Sequence, residues 1–377
     1  MHLRRILIAG FALLLAIAAC STSDDGDPAP STTAQPDTTS AATESESATT
    51  TTTEAATTTT AEPVATGDES SRENPVPAGE TVRVGDWDMK VLSATPDATA
   101  AVLAENEFND PPAAGRQFYI IEVAATYQGQ ASEAMAVGLT VSAVGDSAVA
   151  YSSFEDTCGV IPGELNQFGE VFPGGTQAGN LCWQVATDDL DSLVLIVDNA
   201  FSFDEDRAFM ALPSEGVAFD APQVEPIPPE AGEVGTRGNP IPVGETVRVA
   251  DWDLAVVSVT PDATEAVMAE NSFNDPPKEG HQFYVVEVSA TYQGADSEAV
   301  TLGLVWSTVG ESAVAYGFED TCGVIPNELD QFSEVFPGGT QTGNLCWQVR
   351  SEDVDGLLLI MDAFTFEEDR AFLALQS

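Results

Sequence analysis

The sequence predicts an all-β protein made of two tandem β-sandwich domains behind a disordered N-terminal stalk. Segments 74–212 and 239–375 repeat each other, with about seven in ten aligned positions identical. Within each repeat, short apolar runs alternate between two faces and are separated by frequent turn residues. Ahead of both repeats lies a Ser/Thr-rich stretch whose composition is typical of disorder.

The N-terminus has the pattern of a secretory signal. An apolar run, Ile6–Ala19, follows two arginines and is too short to span a bilayer core of ~30 Å. It ends in Ala18-Ala19-Cys20, which resembles a bacterial lipobox. Residues 1–19 are therefore predicted to be a lipoprotein signal peptide, with Cys20 acylated and anchoring the protein to the membrane. The alternative is an ordinary signal with an incidental cysteine.

Composition predicts where the remaining segments begin and end. Residues 20–71 form a Ser/Thr-rich tether that is either O-glycosylated or an unmodified spacer. Residues 213–238 are rich in Pro and Glu and form a semi-extended linker. The two β-sandwich repeats are predicted at 72–212 and 239–377, each long enough for its own core.

Apolar alternation predicts the main elements of each repeat. Residues 119–127 place their odd-numbered side chains on one face of a strand. The phase of 81–91 changes at Gly85-Asp86, which predicts a tight turn or bulge between two short strands. The run Leu193–Val197 is predicted to be a strand buried on both faces. Short helices are expected only at Ala98–Glu107 and at its counterpart Ala263–Asn271.

Cysteine positions agree with export. Beyond Cys20, two cysteines fall in each repeat, 24 residues apart: Cys158 with Cys182, and Cys322 with Cys346. One pair per copy in an exported protein predicts one disulfide per domain. A metal or redox pair is the alternative, but the spacing does not match Cys-x-x-Cys.

The alternation in 181–185 places Cys182 opposite Leu181, Trp183 and Val185. The first disulfide is therefore predicted to lie outside the main core and to tie a loop to a strand.

The run Asn-Pro-x-Pro-x-Gly-Glu, the Asp-Trp-Asp motif and the run Asn-Asp-Pro-Pro before Gln-Phe-Tyr resemble a telokin-like module. This immunoglobulin-like domain occurs in secreted and lipid-anchored proteins of Gram-positive bacteria, especially actinobacteria, and is catalogued largely as a domain of unknown function. The resemblance covers both repeats and implies an immunoglobulin-like sandwich. It implies no catalytic residues.

Histidine-based catalysis has no basis in this sequence. Apart from His2 in the signal segment, the histidine is His281, and its counterpart in the first copy is Arg116. A Ser-His-Asp triad or a histidine zinc site cannot recur in both domains. Carboxylates are abundant, so a glycosidase-like acid pair stays open.

The charge is strongly acidic. Acidic residues outnumber basic ones by 61 to 12, for a formal net charge of −49. This charge repels nucleic acid, so no nucleic-acid partner is expected. It is interpreted as salt adaptation, as calcium binding or as attraction to a basic partner. No cofactor is predicted, with calcium as the alternative. The weak calcium candidates are Asp86, Asp88, Asn109, Asp110, Asp251, Asp253, Asn274 and Asp275.

Aromatic residues are mostly assigned to the core. The four recurring tryptophans are expected inside: Trp87, Trp183, Trp252 and Trp347. Trp306 replaces Val141 and is either a surface contact or a larger core residue. A phenylalanine set around the disulfide loops is expected to fold beneath them, with a ligand patch as the alternative. This set comprises Phe154, Phe168, Phe172, Phe318, Phe332 and Phe336.

These patterns predict a lipid-anchored protein on the outer face of the cell membrane, with a non-enzymatic binding or scaffolding role. The expected partners are the membrane, through the lipid, and a cell-wall polymer or surface protein. The alternatives are a carboxylate-dependent envelope hydrolase, a calcium-dependent adhesion module and a structural surface coat.

Overall fold

The computed structural model confirms an all-β protein built from two successive β-sandwiches. The predicted signal, Cys20 and the stalk as far as residue 63 lie outside the residues that the structure describes. The structure describes residues 64–66, 70–153, 155–200, 206–364 and 369–376. Among these, no helix is long and apolar enough to cross a membrane.

In the described residues, the first sandwich contains eleven strands and two short helices. One sheet has the strand order β1-β2-β3-β4-β9 and the other β11-β10-β6-β7, while β5 and β8 form a two-stranded ribbon. A 3-10 helical segment, Thr187–Ser192, precedes β10. The elements are β1 (Ala65–Thr66), β2 (Thr81–Val84), β3 (Trp87–Thr95), α1 (Thr99–Glu105), β4 (Arg116–Tyr127), β5 (Glu133–Ala134), α2 (Met135–Gly138), β6 (Leu139–Val144), β7 (Ala150–Ser152), β8 (Glu170–Val171), β9 (Thr176–Ala186), β10 (Val194–Asn199) and β11 (Arg207–Ala211).

The second sandwich repeats this plan without a counterpart of β1. Its sheets have the orders β12-β13-β14-β19 and β17-β16-β20-β21, with the ribbon β15-β18. A 3-10 turn, Val354–Gly356, precedes β20. The elements are β12 (Val247–Val249), β13 (Trp252–Thr260), α3 (Thr264–Glu270), β14 (His281–Tyr292), β15 (Glu298–Ala299), α4 (Val300–Gly303), β16 (Leu304–Val309), β17 (Ala315–Tyr316), β18 (Glu334–Val335), β19 (Thr340–Arg350), β20 (Leu358–Ala363) and β21 (Arg370–Ala374).

Apolar alternation explains the main core of each sandwich. The odd-numbered side chains of β4, from Tyr119 to Tyr127, all lie in the first core, as predicted. On β10, Leu195 and Val197 are fully buried in that core, while Ile196 on the outer face is 8% exposed. The four recurring tryptophans are core residues. Trp306 is also buried, against the second core.

The predicted change of phase at Gly85-Asp86 is a two-residue turn between β2 and β3. Val84 pairs with Trp87 across it, and Gly85 has a φ of +56°, a value that L side chains rarely adopt. The indole of Trp87 donates to the Glu133 carboxylate at 2.8 Å. This bond ties the hairpin to the β5–β8 ribbon and satisfies a polar group that would otherwise be buried unpaired.

Both disulfides form as predicted and lie outside the main cores. Cys158 bonds Cys182, and Cys322 bonds Cys346, each across 24 residues. Each disulfide ties a loop to a central strand, β9 or β19. The first packs in a separate small cluster on the outer face of the sheet, beneath α1, and the second does the same beneath α3. Disulfides of this kind are typical of exported proteins.

Candidate functional site

A cleft lies beside the disulfide of the second sandwich. It has a volume of about 470 Å³. Trp306 on β16 and Trp347 on β19 form its wall, and the Cys322–Cys346 disulfide forms part of its floor. We call this site the disulfide cleft. Its rim carries both apolar and polar side chains: Phe318, Phe364, Glu328, Gln331 and Asn344.

The first sandwich has a disulfide cleft at the equivalent position. It is lined by Val141, Trp183 and the Cys158–Cys182 disulfide, with Glu164 and Gln167 among its polar residues. Its described walls enclose about 60 Å³. Val141 stands where Trp306 stands in the second copy. Phe154 and Phe201, the counterparts of Phe318 and Phe364, lie outside the described residues.

Hydrogen bonds hold the loop beneath each cleft against its strand. In the second copy, Asn344 on β19 donates through Nδ2 to the carbonyl of Pro326 at 2.7 Å. Its backbone N–H donates to the carbonyl of Asn327 at 2.8 Å. Asn180 makes the same side-chain bond to Pro162 in the first copy. The loop is therefore fixed by the strand as well as by the disulfide, so the cleft is preformed.

The phenylalanines around the disulfide loops are exposed, contrary to the prediction that they fold beneath them. Phe318 and Phe332 are 83% and 82% exposed, and Phe168 is 69% exposed. The space under the first loop is filled instead by Ile161 and Leu165, which are 6% and 3% exposed. Aliphatic side chains of the loop itself leave no room for the rings.

Two further members of that set behave differently from each other. Phe172 is buried, at 6% exposed, but beneath the second sandwich and not beneath its own loop. Its counterpart Phe336 is 65% exposed. The same side chain in the same local motif therefore has two environments, and packing between the sandwiches determines which one it meets.

The polar groups of the clefts are partly desolvated. Desolvation by neighbouring atoms raises the pKa of Glu164, and the negative charge of Glu319 from the second sandwich raises it further. The indole nitrogens of Trp183 and Trp306 are buried without a hydrogen-bond partner among the described residues. The lining of each cleft combines a carboxylate, side-chain amides and aromatic surface, which is the mixture typical of ligand sites.

Some of the aspartates predicted as calcium ligands form ion pairs, and the others are exposed to solvent. Asp88 is 8% exposed and accepts two hydrogen bonds of 2.6 Å from Arg83, so it is not a solvent-exposed carboxylate. Asp253 forms an ion pair with Arg248 through Nε. Asp86 and Asp251 are exposed. In the described ranges, no three His, Cys, Asp or Glu side chains converge as metal ligands.

The asparagine candidates have a structural role. Asn109 donates through Nδ2 to the carbonyls of Val102 and Val160, both at 2.7 Å, and accepts from the Val160 N–H at 3.0 Å. Asn274 makes the equivalent three bonds in the second copy. These amides join the short helix to the disulfide loop. Asp110 and Asp275, the next residues, are exposed.

Sequence reasoning missed a buried carboxylate at the edge of each sandwich. Asp189 is 3% exposed and accepts from the Tyr151 hydroxyl at 2.5 Å and from the Ser147 N–H at 2.8 Å. Asp353 holds Tyr316 and Ser312 in the same way. The signal was the run Ser-Ala-Val-Ala-Tyr with a distant Asp in both copies. In each sandwich, this network joins the 3-10 segment to the hairpin that contains the tyrosine, and its residues do not line either cleft.

Comparison with known structures finds similar chains of low identity. A conserved hypothetical protein from Bacillus anthracis is 16% identical, with a TM-score of 0.23, over 35% of this chain and 94% of that one. An uncharacterised β-sandwich protein from Clostridium difficile 630 is 12% identical, with a TM-score of 0.25, over 39% of this chain and 99% of that one. No protein-family model and no curated protein matches this chain.

Proposed function

We propose that this protein is a non-enzymatic binding protein of the cell envelope, anchored by acylated Cys20 and taking a ligand in its disulfide clefts. The observation that carries the proposal is a cleft at the equivalent position beside the disulfide in both sandwiches, although it is larger in the second, where Trp306 replaces Val141. Membership of the telokin-like family is part of this proposal. The two disulfides support an exported location.

The residues of the cleft indicate the class of ligand. Phe318 and Phe364 at the rim are 83% and 64% exposed, and exposed aromatic surface next to a preformed cleft marks an interaction site. Glu328 and the net charge of −49 disfavour an anionic ligand. The ligand is therefore neutral or cationic and partly apolar, such as a cell-wall polymer or an extended surface protein.

Two clefts on one chain favour a repetitive ligand. Once one cleft is occupied, the second meets the same ligand at an effective concentration that reaches the millimolar range for short connections. A polymer with recurring units therefore gains avidity without new contacts. A single small molecule gains nothing from the duplication.

Binding to an isolated cell-wall fraction tests the proposal. With residues 21–377, we expect binding that changes the fluorescence of the tryptophans in the cleft. Phe318→Ala should weaken binding about tenfold, because one aromatic contact contributes about 1.4 kcal/mol. Phe273→Ala is the matched control, since Phe273 is 90% exposed and outside the cleft. Equal effects of the two variants would contradict this site.

The anchor has its own test. Cells that express the full chain are grown with a fatty acid that carries a clickable tag. We expect the chain to be labelled and to fractionate with membranes, and Cys20→Ala to abolish the label. Label that persists in the Cys20→Ala chain would contradict acylation at this residue.

The hydrolase alternative makes a different prediction at the same cleft. A glycosidase-like reaction needs two carboxyl groups about 5–9.5 Å apart, whereas the described lining of the second cleft contains one, Glu328. Release of product from the wall fraction, lost in Glu328→Gln while binding persists, would favour the hydrolase over a binding protein.

A further inference from the structure

The two sandwiches of one chain join through a head-to-tail interface. The first sandwich contributes a tip, residues 170–175, and the second contributes the outer face of its β17-β16-β20-β21 sheet. The Phe172 ring enters an apolar seat, where it meets Phe372 edge-on with ring centroids 6.0 Å apart. The other members of that seat are Val309, Ala313, Ala315 and Ile360.

Polar contacts fix the register of this interface. The Phe172 N–H donates to the carbonyl of Ala313 at 2.8 Å, and Val171 forms a β-bridge with Val314. Arg370 donates to the Glu170 carboxylate at 2.8 Å. Together, these backbone and side-chain bonds hold the tip in one orientation.

An arginine from the linker closes the seat. The guanidinium of Arg237 lies over the Phe172 ring, 4.8 Å from its centroid, and donates to the carbonyl of Gly310 at 3.2 Å. Burial lowers the pKa of Arg237, against the opposing effect of Asp353. A cation over an aromatic face is an attractive contact.

Both halves of this interface are present in both sandwiches. The second sandwich repeats the tip without change, as Glu334-Val335-Phe336-Pro337-Gly338-Gly339. The first sandwich repeats the seat, and Arg72 donates to the carbonyl of Gly145 as Arg237 does to that of Gly310. The seat of the first sandwich has the same residue types as the seat of the second sandwich. Its residues are Arg72, Val144, Ala148, Val149, Ala150, Ile196 and Phe209.

Within the described chain, the Phe336 tip is uncovered, and the matching seat of the first sandwich is partly exposed, although Val144 and Ile196 in it are 6% and 8% exposed. Phe336 is 65% exposed where Phe172 is 6% exposed. Val149 is 67% exposed, whereas its counterpart Val314 packs against the core of the first sandwich. Ala148 and Ala150 are exposed, and their counterparts in the second sandwich are buried. The chain therefore forms this interface once, and within the described residues nothing docks on the Phe336 tip or in the seat of the first sandwich.

The Pro-Gly-Gly turn of the tip shows the same contrast. A Cβ added to Gly174 would lie 2.5 Å from the backbone nitrogen of Ile227, and one added to Gly175 would lie 2.5 Å from the carbonyl oxygen of Ala313. Both glycines are thus needed for close backbone approach. A Cβ on Gly338 would meet nothing within 4 Å.

We propose that copies of this protein associate head to tail, with the Phe336 tip of one copy docked in the seat of the first sandwich of the next. The occupant of each free half is a second copy of this chain, because the chain already contains the matching half and shows how the two fit. A contact between two different surfaces leaves one of each free after every addition. The product is an extending row of molecules.

Two physical factors set the strength of this contact. Within the chain, the linker holds the partners together, and that effective concentration is absent between copies. Two chains of net charge −49 also repel each other, although at physiological ionic strength the repulsion decays over ~8 Å. Confinement to a membrane surface replaces part of the lost effective concentration. The contact is therefore tested on cells.

Photocrosslinking of the full chain in its own cells tests the proposal. A photoreactive phenylalanine analogue replaces Phe336, and irradiated cells are analysed on a denaturing gel. We expect a ladder of dimers, trimers and larger species, with crosslinks to the first-sandwich seat when peptides are mapped. The same analogue in place of Phe172 should crosslink within one chain, which shows that photolysis works. In place of Phe273, an exposed ring outside the tip, it should give no ladder.

A variant of the seat makes the test specific. Val149→Asp places a charge where the apolar contact forms, and Val149 is exposed, so the chain should fold and accumulate as before. We expect the ladder from position 336 to fall at least about tenfold. The proposal is overturned by an undiminished ladder in Val149→Asp, by crosslinks from position 336 only to other proteins, or by no ladder while position 172 crosslinks normally.

Discussion

Replacing Phe172 by alanine should destabilise this protein, while the same change at Phe336 should not. The two residues occupy identical local sequences, but one is 6% exposed and the other 65% exposed. An aromatic side chain buries ~200 Å² when fully enclosed, so the difference between them is about 120 Å². At ~25 cal/mol per Å², this area corresponds to about 3 kcal/mol.

The assay is urea unfolding of residues 21–377, followed by tryptophan fluorescence at a protein concentration low enough to exclude association. For an m-value of ~3 kcal/mol/M, Phe172→Ala should lower the midpoint by about 1 M urea. Phe336→Ala should change the free energy of unfolding by no more than about 0.5 kcal/mol, as for other surface changes. Equal effects of the two variants, or no effect of Phe172→Ala, would refute the contact between the sandwiches.

Three further outcomes are expected. Burial alone would raise the pKa of Asp189, but hydrogen bonds from Ser147 and Tyr151 outweigh it and leave the pKa lowered. The stabilisation by the Asp189 carboxylate is therefore present above the ordinary aspartate pKa of ~3.9 and is lost as the pH falls through the lowered pKa. Asp189→Ala should lower the free energy of unfolding by about 1–3 kcal/mol at pH 7 and by less at pH 3, measured by thermal unfolding. The Cys158→Ala/Cys182→Ala double variant should lose about 3 kcal/mol in urea unfolding, and an unchanged free energy of unfolding would contradict this contribution of loop closure. The midpoint of thermal unfolding of residues 21–377 should rise with sodium chloride, because salt screens the repulsion between acidic groups. Millimolar calcium at fixed ionic strength should leave the midpoint unchanged, because Arg83 already neutralises the Asp88 carboxylate. A midpoint that rises with calcium would favour the calcium hypothesis.

The strands and the disulfides were accessible from the sequence because they depend on local patterns. Alternation in β4 and β9 places one set of side chains in the core and Cys182 on the opposite face, which is where the disulfide lies. The turn at Gly85-Asp86 and the short helix α1 also follow from local residue types. Such patterns repeat within each copy, so the duplication provided an independent check.

The candidate site was harder to predict from the sequence, because a cleft forms from segments that are distant in sequence. Trp306 and Trp347 lie on different sheets and meet at one wall of the cleft. The prediction for the phenylalanines failed for a related reason. Hydrophobicity favours burial of Phe318, but Ile325 and Leu329 of the loop fill the available space, and packing volume is not visible in residue type alone.

The sequence by itself determined the duplication, the β architecture and the one-pair-per-copy cysteine pattern, because each can be read from residue types along the chain. The tertiary structure decided what identical segments do in different places. Phe172 and Phe336 share their neighbours in sequence, yet one is a buried contact and the other an exposed ring. That difference arises because burial depends on what packs against a surface, and the second sandwich covers the first tip while nothing in the described chain covers the second.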